Sequence, residues 1–287
     1  MGRVAYVNGR YERHGDACVH IEDRGYQFAD AVYEVWSVFD GRLADPEGHF
    51  VRLARSLSEL KIDMPMSRAA LTVVLRETVR RNKVRDGILY LQISRGVAPR
   101  DHAFPTKPVP PAVVVTCKPV NFDAIQAKAA KGVSVITVPE NRWARADIKS
   151  TSLLPNALAK QAAREKGAAE AWFVDDLGFV TEGSSSNAWI VDAEGVLRTR
   201  DTNANILRGV TRTSLLQIIR DEGLKVDERP FTPAEAQAAK EVFITAATAL
   251  VTPVIAVDGK PIGNGAPGPV ASRLRRLYIE RARASAI

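Results

Sequence analysis

Three short runs in this chain hold residue types that can do chemistry together. In Asp147-Ile148-Lys149-Ser150-Thr151-Ser152-Leu153-Leu154-Pro155-Asn156, a lysine stands just ahead of a helix start. Burial there can strip the amine of its proton and make it a Schiff-base nucleophile. The same run also reads as a surface lysine at a helix start. In Val180-Thr181-Glu182-Gly183-Ser184-Ser185-Ser186-Asn187, a carboxylate ends a β-rich run, and the small residues after it let backbone approach a ligand closely. An ordinary Ser/Gly hairpin loop has that composition too. In Leu207-Arg208-Gly209-Val210-Thr211-Arg212-Thr213, a glycine and a hydroxyl residue open a helix, where free N–H groups and the positive dipole end suit phosphate. A plain threonine cap is the other reading.

Most familiar sites are absent. The chain has no P-loop, no Gly-x-Gly-x-x-Gly, no His-Glu-x-x-His and no nucleophile elbow. His14, His20, His49 and His102 have no metal-ligand spacing, so no metal is expected. Cys18 and Cys117 are too few for a disulfide framework and read as two buried thiols in a reducing compartment.

The bulk composition fits a globular protein. Of 287 residues 46% are hydrophobic and 25% charged, enough apolar material for one or two cored domains. The net charge of +7 comes from 12 Lys and 28 Arg against 33 acidic residues. Scattered arginines suit anionic small molecules better than nucleic acid, which needs a basic stripe. The densest group, Arg273, Arg275, Arg276, Arg281 and Arg283, reads as a solvated helix face. The N-terminus has no apolar leader and no stretch reaches the roughly 18 apolar residues of a membrane span, so a cytoplasmic protein is expected.

The elements that must carry these runs can be read from periodicity and turns. Asn8-Gly9, Asp40-Gly41 and Asp258-Gly259 mark hairpins. Helical spacing predicts helices around Phe50–Leu60 and Leu71–Thr78, and over 153–167, 209–222 and 268–285. β-Rich runs occupy 31–39, 88–94, 112–117, 133–138, 171–175, 188–191, 242–246 and 254–257. Strands in hairpin-like succession predict an α+β fold with mainly antiparallel or mixed sheets. The expected division is a smaller N-terminal α/β domain over 1–118, a linker over 119–126 and a larger C-terminal cofactor domain over 127–287. The loop from Arg95 to Pro111 is too polar and proline-broken to be an element, and long loops of this kind are commonly functional.

Taken in order, these segments resemble the fold-type IV family of pyridoxal 5'-phosphate aminotransferases, most closely its D-amino-acid members. The likeness rests on Asp23-Arg24-Gly25-Tyr26-Gln27-Phe28-Ala29-Asp30-Ala31-Val32-Tyr33-Glu34-Val35, on Arg95-Gly96 through Pro105, and on the three runs above. It implies that Lys149 holds the cofactor as a Schiff base and shuttles a proton, while Glu182 pairs with the pyridine nitrogen and keeps the ring an electron sink. It implies phosphate contacts from Arg52, Gly209, Val210, Thr211 and Thr248, with Leu207 against the ring face. Tyr33, Arg100 and His102 match the α-carboxylate trap of the D-specific members. In the family that loop serves the neighbouring subunit, so a homodimer with shared sites is implied.

The implied reaction is ping-pong transamination between D-amino acids, such as D-alanine or D-glutamate, and 2-oxo acids. A branched-chain L-aminotransferase or an aminodeoxychorismate lyase-like enzyme on the same scaffold is the alternative, and the Arg100-x-His102 pair argues against both. Two departures bear on substrate range. Ala29 and Ala31 stand where close relatives have glycine, adding two methyl groups near Tyr33. Asp101 lies between the trap residues and is expected to face solvent.

Overall fold

The computed structural model describes residues 2–202 and 206–287. The chain divides into two compact units, one of 1–122, 148–152 and 285–287, the other of 123–147 and 153–284. The segment carrying Lys149 therefore belongs to the first unit although its flanks belong to the second.

The first unit is built on β1 (Val4–Val7), β2 (Arg10–Arg13), α1 (Arg24–Phe28), β3 (Ala31–Phe39), β4 (Arg42–Leu43), α2 (Pro46–Glu59), α3 (Arg68–Arg81), β5 (Gly87–Ser94) and β6 (Ala112–Pro119). Its six strands form one antiparallel sheet in the order β2-β1-β6-β5-β3-β4. The Asn8-Gly9 and Asp40-Gly41 turns both have positive φ at their two central residues, as two-residue hairpin loops of right-handed twist require. Alternation along β3 sends Val32, Glu34, Trp36 and Val38 to the face covered by Phe50, Leu53 and Leu57 of α2. Helix α2 also turns His49 and Arg52, one turn apart, toward that face.

The second unit holds α4 (Phe122–Lys131), β7 (Val133–Pro139), α5 (Leu154–Glu165), β8 (Glu170–Val174), β9 (Val180–Gly183), β10 (Asn187–Val191), β11 (Leu197–Arg198), α6 (Val210–Asp221), β12 (Val226–Asp227), α7 (Pro233–Ala238), β13 (Glu241–Ala246), β14 (Leu250–Val257), β15 (Lys260–Pro261) and α8 (Pro269–Ala284). Its nine strands form a mixed sheet, β12-β11-β10-β13-β14-β7-β8-β9, with β15 paired to β14. The β14–β7, β7–β8 and β11–β12 pairs are parallel. Trp172, Phe231, Val242 and Val254 centre one core, and α5 covers Ile136, Ala171 and Phe173 with Ala159 and Ala163.

The α+β expectation holds, with some local corrections. The stretch 119–126 is mostly taken up by elements, because β6 runs to Pro119 and α4 starts at Phe122. Cys18 is exposed and only Cys117 is buried, with burial pushing its thiol up to about 12. Arg275 is buried, not solvated. Its guanidinium donates to the carbonyls of Ala249 and Val251 and to Gln126, while Arg276 and Arg281 keep the surface ion pairs expected of the group. No helix among the described residues is long and apolar enough to cross a membrane.

Ala29 has a structural consequence of its own. It closes α1 in the left-handed conformation, φ 55° and ψ 24°, where its Cβ crowds the following carbonyl. Ala31 is wholly buried at the start of β3. Ala29→Gly is expected to relieve about 1 kcal/mol of backbone strain and raise the melting temperature by about 2–4 °C. Calorimetry of the two proteins checks this, and a lower melting temperature for the glycine variant would contradict it.

Candidate active site

In the first unit, Lys149 is held mainly by backbone hydrogen bonds. The segment 148–152 lies along the first half of β3: Tyr33 N–H donates to the Lys149 carbonyl at 3.0 Å, and Thr151 N–H donates to that of Ala31 at 3.0 Å. Val32 and Ser150 form an antiparallel bridge, and Ile148 is buried in the core under α2. The Lys149 N–H donates to the Ser56 hydroxyl at 3.3 Å. Its Nζ stands 4.0 Å from the centroid of the Tyr33 ring, which stacks on Tyr90. Among the described residues this ammonium has no carboxylate partner and no hydrogen bond. Lys160, by contrast, donates to the Ala169 carbonyl at 2.7 Å and lies 3.3 Å from Glu170.

Behind Tyr33, on the other face of β3, lies a group that sequence reading did not find. Glu34 is completely buried and accepts from Arg52 through Nε at 2.8 Å and Nη2 at 2.7 Å. His49 Nδ1 lies 2.7 Å from the same carboxylate. Burial pushes the Glu34 carboxyl up, but the Arg52 guanidinium and then His49 outweigh it and hold the group down at about 2. Burial also lowers the His49 imidazole, so it is neutral near pH 7 and its Nδ1 carries the hydrogen that Glu34 accepts. Arg52, expected at a phosphate, gives its Nε and Nη2 to this carboxylate.

Arg100 and His102 come together, as their spacing implied. Both pack on Phe28, with the Arg100 guanidinium 5.2 Å and the His102 ring 5.5 Å from the Phe28 centroid. Both are exposed, as is Asp101, in line with its expected solvent orientation. No hydrogen bond or ring contact among the described residues joins them to Tyr33 or Lys149.

In the second unit the centre is Glu182, buried at the end of β9. Its Oε1 accepts from Leu207 N–H at 3.1 Å and from Arg142, and its Oε2 accepts from Asn187 at 3.0 Å. Arg142 also grips Glu140 and lies over the Phe173 ring. Burial pushes the Glu182 carboxyl above the ordinary value against the pull of Arg142 and Leu207. A carboxylate of raised basicity, fixed by three donors, suits a partner that brings its own proton. Of the serines after it, Ser184 and Ser186 are buried. The hydroxyls of Ser184, Ser185 and Ser186 all donate to the buried Glu170, which shapes the turn.

Helix α6 starts at an N-cap glycine, Gly209, with no side chain capping the first-turn amides. Those amides of Val210 and Thr211 have no acceptor within the helix and are ready anion donors. A Cβ at Gly209 would come 2.1 Å from Asn187 Oδ1, so this approach needs glycine. The Thr211 hydroxyl is buried and lies 3.3 Å from that of Tyr278. Leu207 precedes the cradle half-buried, and Thr248 is exposed in the turn between β13 and β14. Taken unit by unit, the chain offers an unpaired lysine amine in the first, and a buried basic carboxylate and an open helix N-terminus in the second. Those donor types fit an aldehyde-bearing pyridine phosphate.

Residues 31–257 match the amino-transferase class IV family. The chain belongs to that family. It is 42% identical over 268 residues to a D-alanine aminotransferase from Bacillus licheniformis, covering 93% of each chain. It is 39% identical over 279 residues to one from Staphylococcus aureus (strain MSSA476), covering 96% of this chain and 97% of the relative. Among solved structures, a T.th. branched-chain amino acid aminotransferase with pyridoxamine 5'-phosphate superimposes with a TM-score of 0.90 at 28% identity. That match covers 98% of this chain and 94% of the other.

In this aminotransferase, sequence reading missed Glu34, His49, Arg142, Asn187 and Glu170. Arg142 follows Glu140 by two residues, which is a signal of local ion pairing only; its reach to Glu182 needs β7 and β9 to be brought close. Glu34 offers a direct test. Its carboxyl, at about 2 in the fold against an ordinary 4.5, stabilises the protein by about 3 kcal/mol above pH 4.5, and this is lost as pH falls through 2. Glu34→Gln is expected to lower stability at pH 7 by a similar amount and to flatten the acid limb between those values. Denaturant titrations at stepped pH measure both, and an unchanged acid limb would show that Glu34 does not carry it.

Proposed function

We propose that this aminotransferase moves the amino group of D-amino acids, D-alanine and D-glutamate among them, to 2-oxo acids by a ping-pong route with pyridoxal 5'-phosphate. The observation that carries the reading is Lys149, whose main chain is pinned along β3 and whose amine lies over the Tyr33 ring with no hydrogen bond or ion pair among the described residues. When bound, the cofactor supplies a carbonyl for amine exchange and a ring that takes up the electrons released at the substrate α-carbon. Lys149 would hold the cofactor through Nζ and would take and return the proton of the substrate α-carbon. Glu182 holds the proton on the pyridine nitrogen, with Arg142 and Asn187 fixing the carboxylate. The first amides of α6 bind the phosphate, with Arg52 and Thr248 as further phosphate ligands and Leu207 against the ring.

Substrate handedness rests on the carboxylate. Arg100 offers a bidentate fork, and Tyr33 and His102 offer further donors. Relatives named D-alanine aminotransferase at 38–42% identity over nearly the whole chain favour the D side. The structural likeness to a branched-chain enzyme lies at 28% identity and speaks for the scaffold. The exposure of Arg100 and His102, without contact to Lys149, supports a homodimer in which each copy lends this loop to the other. Two cysteines without a disulfide agree with a cytoplasmic setting.

Lys149→Ala is expected to abolish transamination, and borohydride reduction of the wild type followed by peptide mapping should find the pyridoxyl label on Lys149. A label on Lys160 would overturn the assignment. Glu182→Gln should keep the cofactor but turn over at least about a hundredfold slower, because the loss of the charge costs several kcal/mol in the transition state. Paired assays with D- and L-alanine, D- and L-glutamate and L-leucine read the handedness. Activity is expected on the D forms, with the KM for D-alanine raised sharply by Arg100→Ala and the cofactor absorbance unchanged. Preference for L-leucine would assign the chain to the branched-chain side of the family.

A further inference from the structure

The loop bearing Arg100 and His102 is bridged at its start, where Val97 pairs with Asp23, but none of its residues 100–104 pairs with a strand, and their side chains are exposed. What holds the backbone of the stretch with Arg100 and His102 is a buried arginine from α1. Arg24, 3% exposed, donates through Nη1 to the carbonyls of Asp101 at 2.6 Å and Ala103 at 3.2 Å, and through Nη2 to that of His102 at 3.4 Å. One guanidinium thus grips three consecutive peptide carbonyls. Its Nε donates to Asp30 at 2.8 Å, and its central carbon lies 4.7 Å from the centroid of Phe28, the ring on which Arg100 and His102 also pack.

A second arginine completes the clamp. Arg95 binds Asp30 through Nε at 2.7 Å and Nη2 at 3.0 Å, and lies 3.6 Å from the centroid of Phe104. Its remaining N–H groups donate to the carbonyls of Leu60 and Lys61. Two guanidinium groups therefore share one carboxylate, which leaves an excess positive charge in a largely dry place. For Arg24, the loop carbonyls supply the solvation that the shared carboxylate cannot. Were the loop to leave, Arg24 would lose three acceptors at once, so burial of the charge drives the loop onto it. Elsewhere the loop is loosely supported: a cavity of about 260 Å³, lined by Lys61, Arg95, Phe104 and Lys107, lies beside it.

We propose that Arg24 is a positioning residue for substrate recognition, which sets the affinity for the substrate carboxylate by clamping the loop that presents Arg100 and His102. The proposal rests on the reading of those two residues as the carboxylate trap. Arg24 acts through them and touches no substrate. A lysine cannot replace it, because a single ammonium cannot span Asp30 and three carbonyls together.

The test is a comparison of Arg24→Lys, Arg24→Gln, Phe104→Ala and Arg100→Ala in the cofactor-loaded enzyme, with D-alanine as substrate. Both Arg24 variants are expected to raise KM about tenfold or more, while kcat at saturation stays within about threefold and the cofactor absorbance is unchanged. Phe104→Ala removes a half-exposed ring that packs on Arg95, so it loosens the same clamp from its surface side and keeps the test open if the Arg24 variants fold poorly, and it should raise KM by about threefold. Trypsin should cut after Arg100 faster in Arg24→Lys than in the wild type. Adding Arg24→Gln to Arg100→Ala should cost little further KM, since the two act as a unit. Full additivity, an unchanged KM, or a loss confined to kcat would overturn the clamp while leaving the trap intact. An unchanged KM in Arg100→Ala would overturn the trap reading and the clamp with it.

Discussion

A charged side chain taken out of water must recover its hydration from the protein, and in this chain pairing of arginine with a sequestered carboxylate does so at three places. Asp30 answers Arg24 and Arg95, Glu34 answers Arg52, and Glu182 answers Arg142. Each cluster contains, or adjoins in its own strand or loop, a residue proposed to serve the reaction. Such pairs add little net stability over apolar packing, but loss of one partner strands the other charge and costs about 3–5 kcal/mol. They fix geometry for that reason. Tyr33 is held by a strand whose next residue cannot shift without breaking the Glu34 cluster, and Glu182 cannot turn without abandoning Arg142.

The second constraint is topological. Lys149 owes its position to a short segment that leaves the second unit, lies along β3, and returns. Its backbone completes hydrogen bonds that the first half of β3 would otherwise leave open, because β4 pairs only with Val38 and Phe39. Among the described residues the amine is thereby placed with no hydrogen bond or ion pair that would have to be broken before it reacts, only the face of the Tyr33 ring beside it. The same economy governs the start of α6, where Gly209 caps the helix with nothing but backbone and leaves the first amides to a ligand.

Specificity is separable from this machinery. The scaffold is shared at a TM-score of 0.90 with a branched-chain enzyme, whereas the residues proposed to read the substrate carboxylate sit on an irregular loop gripped by an arginine side chain. A loop fastened by arginine to carbonyl can change its exposed residues without disturbing the sheet beneath it. Ala29 and Ala31 are changes of a different sort. One strains the backbone at the end of α1 and the other fills space at the start of β3, and both act before Tyr33 is reached.

Much of the fold was legible because it is local. Asn8-Gly9, Asp40-Gly41 and Asp258-Gly259 dictate hairpins by their own φ preferences, and the spacing of Phe50, Leu53 and Leu57 dictates a helix face. The candidate site was legible only through the joint order of weak motifs, since a lysine, a glutamate or a glycine-led helix means little alone. The tertiary structure decided the rest. Arg275 reads as one solvated arginine among five, yet it is drawn inward by the carbonyls of Ala249 and Val251, which no local pattern foretells. Ser184, Ser185 and Ser186 read as loop residues, yet all three are committed to Glu170 across the sheet. Residue type and spacing determine which elements form and which side chains can react. Which charge meets which, and so which of those side chains is left free to react, depends on contacts between residues far apart in the chain.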